Sequence, residues 1–120
     1  MSERALTLDL PGADLPGAGD PVITDVIAGA LASIDSALPG ASAQAADALG
    51  IEAGADQLLL ILVDGLGYEL IQDHLGHTPT LRRVRDDIRS IHTVVPSTTA
   101  AAITAFGTGA RPGTTNMVGF

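Results

Sequence analysis

Asp64 and the run Ser97-Thr98-Thr99 are the residues of this chain whose types and positions could do chemistry. Asp64 ends the stretch "QLLLILVDG", where apolar residues lead directly into a carboxylate and a glycine. The hydroxyl run sits in "VVPSTTAAAITAFGTG", between an apolar pair with its proline and an alanine-rich segment. A carboxylate at the mouth of a buried strand is costly if unpaired, and it is a natural ligand for a hard or borderline metal ion. A threonine hydroxyl at a helix N-terminus can act as a nucleophile. The helix dipole favours its anion, and a bound metal would favour it more strongly. The free N–H groups of the same helix end suit phosphate oxygens. Each feature also has a plain structural use, because Asp-Gly makes turns and Ser or Thr caps helices.

The elements expected to position these residues follow from the apolar pattern. Leu58–Val63 reads as a strand buried on both faces, and "SIHTVV" as a second strand. "STTAAAITAFGTG" reads as a helix ending at Gly107 or Gly109, with Ser97 or Thr98 as its cap. Val22, Val26, Ala30, Ile34 and Leu38 mark an amphipathic helix, with Asp20 as cap and Pro21 at its first position. "ASAQAADALG" and "YELIQDHLG" are short helices closed by Gly50 and Gly76. "TPTLRRVRDDI" is a further helix capped by Thr78, with Leu81, Val84 and Ile88 as its inner stripe. Strands alternating with helices predict an α/β fold, a mostly parallel sheet with flanking helices. In such sheets ligands bind beyond the carboxyl ends of the strands, where Asp64 and the hydroxyl run would meet. Residues 1–21, rich in Pro, Gly and Asp, predict an extended N-terminal arm, leaving 22–120 as the α/β unit.

Composition narrows the function. The 120 residues carry a net charge of −8, and all six basic residues are arginine. No nucleic-acid-binding surface is evident in such a chain, since phosphate backbones need a positive face. Arg82, Arg83, Arg85 and Arg89 alternate with Asp86 and Asp87 and read as a solvated helix face. The absence of cysteine excludes disulfides and thiolate metal sites. Aromatic residues make up only 2%, so any core must be aliphatic. No signal-like leader and no apolar run of membrane-spanning length is visible, and a cytoplasmic location is expected. His74 and His77 flank Gly76 and read as surface residues; His92 reads as packing. "DGLG" lacks the third glycine of a dinucleotide fingerprint, and "GTGARPGTT" lacks the ending of a phosphate loop.

"LLLILVDGLG", "HTPTLRRV" and "VVPSTTAAAITAFGTGARPGTTNMVGF", in this order, resemble the alkaline phosphatase superfamily, and within it the nucleotide pyrophosphatase/phosphodiesterase family. The resemblance covers residues 57–120. It implies metal-dependent hydrolysis of phosphodiester or nucleotide pyrophosphate bonds through a phospho-threonine intermediate, in an alkaline-phosphatase-like fold incomplete at the C-terminus. Asp64 matches a carboxylate that binds one of two catalytic zinc ions. Thr99, in the Pro-x-x-Thr segment, matches the nucleophile and metal ligand; Thr98 is its rival should the match shift by one residue. The Thr108-Gly109 match favours Thr99. The resemblance implies a small-molecule phosphodiester or nucleotide substrate; no membrane partner is expected, since the longest apolar run is too short to span a bilayer. Ala102 stands where many phosphodiesterases have an asparagine that helps hold a phosphate oxygen, and Thr115-Asn116 stands where relatives often have His-Gly. The family's further Asp and His ligands have no match in this chain. It is therefore expected to be the nucleophile-bearing part of a longer enzyme, binding zinc weakly and turning over little by itself. The alternatives are a non-catalytic α/β module whose Thr run only caps a helix, and a phosphomonoesterase or phosphomutase of the same superfamily.

Overall fold

The computed structural model describes residues 16, 17 and 19–119. Most of the expected N-terminal arm lies outside the described residues. The structure is built from short helices: α1 (Asp25–Ile34), α2 (Ala43–Leu49), α3 (Tyr68–His74), α4 (Pro79–Arg83), α5 (Thr99–Thr108) and α6 (Pro112–Thr115). Single 3₁₀ turns at Leu75–His77 and Arg85–Asp87 follow α3 and α4.

The expected parallel sheet is not formed. Among the described residues the β structure is one isolated parallel bridge, between Val22 and His92. Ile23 N–H donates to His92 O at 2.8 Å, and His92 N–H donates to Pro21 O at 3.0 Å. Leu58–Val63 has no strand partner among the described residues. Its side chains are exposed, from 41% at Leu60 to 83% at Leu59. A strand owes its stability to cross-strand hydrogen bonds and to neighbours on its face. With neither, an apolar run keeps the composition of a buried strand without its structure.

The bridge also corrects the first helix. Pro21–Ile23 gives its backbone to His92, so α1 begins later than expected. Asp20 does not cap it; its carboxylate accepts from Gly17 N–H at 2.7 Å. Asp25 in the first turn instead accepts from Val22 N–H at 3.0 Å. α1 stops at Ile34, short of Leu38, where the Asp35 carboxylate takes up the Ala37 N–H in a tight turn. The expected 78–88 helix breaks at Val84 into α4 and a 3₁₀ turn, and Val84 is 44% exposed. Thr78 does not cap α4; its hydroxyl donates backwards to His74 O. α2 agrees with expectation, with Ser42 as cap and Gly50 left-handed at its end.

Small side chains allow the close packing that exists. α1 and α2 bury Gly29, Ala30, Ala32, Ala45 and Ala46. A Cβ added at Gly29 would lie 3.0 Å from the Ala46 backbone nitrogen, so the helices meet backbone to backbone there. A second cluster joins Val94 to Ala101 and Ala105 of α5, with Ile23 and Ala102 packed against it. The buried apolar set is therefore almost wholly alanine, and the large aliphatic residues remain at least partly exposed.

Candidate active site

α5 answers which hydroxyl is a cap. Thr98 is extended, at φ −74 and ψ 150, and its Oγ1 accepts from Ala101 N–H at 3.3 Å. Its carbonyl accepts the first intrahelical bond, from Ala102 N–H at 2.9 Å. The Thr98 hydroxyl also lies 3.5 Å from Val118 O. A Cβ on Gly119 would come 2.5 Å from Thr98 Oγ1, so the chain near Val118 passes directly over the cap. α5 ends at Gly109, left-handed at φ 65, the second of the two ends expected.

Because Thr98 caps, Ser97 and Thr99 are left uncommitted. Both are exposed, and neither hydroxyl has a hydrogen-bond partner among the described residues. Thr99 is the first residue of α5. The N–H groups of Thr99 and Ala100 are likewise open, as the first donors of a helix are when the cap serves the third.

Asp64, Ser97 and Thr99 line one cleft of about 460 Å³. Thr93 adds a further hydroxyl to its wall. The rest is largely apolar, from Ile23, Leu62, Val63, Leu66, Ala102 and Ile103. Gly65, at φ 71, reverses the chain after Asp64 in a backbone shape that few other residues adopt. Among the described residues no Arg, Lys or His side chain lines the cleft. The pair expected from the sequence is thus brought together. Ile23 and Thr93 were not expected at this site. Ile23 arrives through the bond from its N–H to His92 O, a long-range contact with no local signature.

The other titratable residues among the described ones lie outside the cleft. Exposed His74 has Nδ1 2.9 Å from Leu70 O, within its own helix. His92 Nε2 lies 3.8 Å from Asp20 Oδ2, so it has a polar neighbour and does not simply pack. Arg85 pairs with Asp86 at 3.4 Å, both strongly exposed, as a solvated face requires. A cavity of about 420 Å³ between Pro16–Asp25 and α2 also holds polar groups. Ser42, Asp20 and Asp25 there accept from backbone N–H groups, while the Thr24 hydroxyl and Arg111 also line the cavity.

The family resemblance implies two zinc ions at this cleft. The cleft offers the Asp64 carboxylate and the hydroxyls of Thr93, Ser97 and Thr99. Among the described residues no group of three or more His, Cys, Asp or Glu side chains could hold a metal. Zinc takes three or four protein ligands, so these residues do not by themselves fit a zinc pair. No helix among the described residues is long and apolar enough to cross a membrane.

Residues 58–120 match the family model described as type I phosphodiesterase / nucleotide pyrophosphatase. The match spans more than half of the chain and contains Asp64, Ser97 and Thr99. No curated protein and no solved structure matches the chain.

Proposed function

We propose, from the premise that the chain belongs to the type I phosphodiesterase / nucleotide pyrophosphatase family, that its cleft serves attack on phosphorus by Thr99. The family points to hydrolysis of the phosphodiester or pyrophosphate type. The observation that carries the residue assignment is that Asp64 and Thr99, remote in sequence, line one cleft. Thr99 Oγ1 bonds to phosphorus as the bond to the leaving oxygen breaks. The hydroxyl proton is lost, and the leaving group gains one. Water then splits the phospho-threonine ester and restores the hydroxyl. The open N–H groups of Thr99 and Ala100 suit a non-bridging oxygen in both steps. Asp64 is the one carboxylate among the described residues lining the cleft, and it would be a ligand to a divalent cation only together with ligands that these lining residues do not supply.

The charge of the cleft favours diesters over monoesters. Asp64 faces it and, among the described residues, no cationic side chain does. A diester brings one negative charge, whereas a monoester brings close to two near neutral pH. The test uses the protein as its host produces it, with bis(4-nitrophenyl) phosphate and an added divalent cation. Acid quenching followed by mass analysis should find a 4-nitrophenyl phosphoryl group on Thr99, since one of the two ester groups stays on phosphorus. An adduct on another residue, or full activity in Thr99→Ala, would sink the assignment.

A further inference from the structure

The donors available to an anion in this cleft can be counted from its walls. Asp64 only accepts when ionised, and the apolar residues contribute no donor. That leaves the hydroxyls of Thr93, Ser97 and Thr99 as side-chain donors. On the reading above, Thr99 gives up its proton to become the nucleophile and cannot also donate to the phosphoryl oxygens. Thr98 does not line the cleft; its hydroxyl points its proton to Val118 O and sits beneath Gly119. Thr93 lies on the boundary with a neighbouring cavity that also contains Arg111, so its hydroxyl is shared between two openings. Ser97 is exposed, has no partner among the described residues, and precedes the open N–H groups of Thr99 and Ala100 with only Thr98 between.

We infer that Ser97 is a substrate-binding residue of this site, its Oγ donating a hydrogen bond to a non-bridging phosphoryl oxygen while Thr99 attacks. The inference rests on the assignment of the cleft to phosphoryl transfer. It adds a neutral donor where none of the described lining residues is cationic. A hydroxyl can hold the oxygen through both steps because it keeps its proton, and its strength rises as charge gathers on that oxygen.

The test is titration of inorganic phosphate into the isotope-labelled chain, following the amide signals of residues 97–101, beside turnover of bis(4-nitrophenyl) phosphate by the protein as its host produces it. Ser97→Ala should weaken phosphate binding by about tenfold, the effect of losing one hydrogen bond to a charged group. Ser97→Thr, which keeps the hydroxyl, should restore most of it. Because Ser97 is exposed and uncommitted, both variants should melt with the wild type. Unchanged phosphate affinity in Ser97→Ala overturns the inference, as does a wild-type chain that binds no phosphate. A loss confined to Thr93→Ala overturns it too and moves the donor to Thr93. Should Thr99→Ala keep full turnover while Ser97→Ala loses phosphate, the nucleophile assignment fails and Ser97 stands.

Discussion

Gly119 lies so close to Thr98 that a Cβ built on it would come 2.5 Å from the threonine Oγ1 and 2.9 Å from its Cγ2. The backbone of Gly119 is also left-handed, at φ 86. The stretch matched by the family model therefore folds back onto the cap of the helix that carries Thr99.

Gly119→Ala should accordingly destabilise the protein by about 1–2 kcal/mol, from left-handed strain and the close contact together. Calorimetry should show a lower melting temperature. The double variant with Thr98→Ala should lose less than the sum of the two single losses, since the contact is shared. Strict additivity would mean that the two residues do not touch.

Thr98→Ala and Thr99→Ala should separate a cap from a nucleophile. Loss of the Thr98 cap should cost about 1 kcal/mol of stability while leaving phosphodiester turnover near wild type. Thr99→Ala should abolish turnover with little change in melting, since its exposed side chain makes no bond to lose. Parallel denaturation curves and steady-state rates settle the matter. Equal loss of turnover in both variants would contradict the division of roles.

Asp64→Asn should act in opposite directions on cations and anions. Divalent-cation binding at the cleft should weaken. Inorganic phosphate should bind the metal-free chain more tightly by about fivefold, the relief of about 1 kcal/mol of repulsion between like charges in water. Isothermal titration with each ion measures both. Weaker phosphate binding in Asp64→Asn would show that the carboxylate does not face the anion.

Gly29→Ala tests the helix pair. The change favours an isolated helix by about 1 kcal/mol. In this fold the new methyl would meet the α2 backbone at Ala45 and Ala46, which cannot rotate aside. Net destabilisation is expected, with Gly29→Val worse by about 2 kcal/mol as overpacking grows. A rise in melting temperature for Gly29→Ala would mean that α1 and α2 stand further apart.

The candidate site was more legible in the sequence than the fold, and the reason is locality. A threonine that caps α5, a glycine that reverses the chain after Asp64 and a glycine that ends α5 all act through atoms a few residues away. Residue type alone carries that information. The sheet was not legible, because pairing is a property of two segments. The composition of Leu58–Val63 says what such a strand would be made of and nothing about whether another lies beside it. The Val22–His92 bridge shows the same limit from the other side. The apolar spacing from Val22 onward matches a helix, yet the first residues of that pattern are held by a distant backbone. Ser97 was readable only as one of two possible caps, and it is a cleft-lining hydroxyl because Thr98 takes the cap.

The closely packed α1–α2 pair contributes no side chain to the cleft. Asp64, Ser97 and Thr99, conversely, are all exposed. Substitutions that alter reactivity therefore fall on residues whose burial holds nothing together, while those that alter robustness fall on helices remote from the reacting groups. Such a division lets selection explore new phosphoryl-transfer specificities without first accumulating compensating mutations elsewhere.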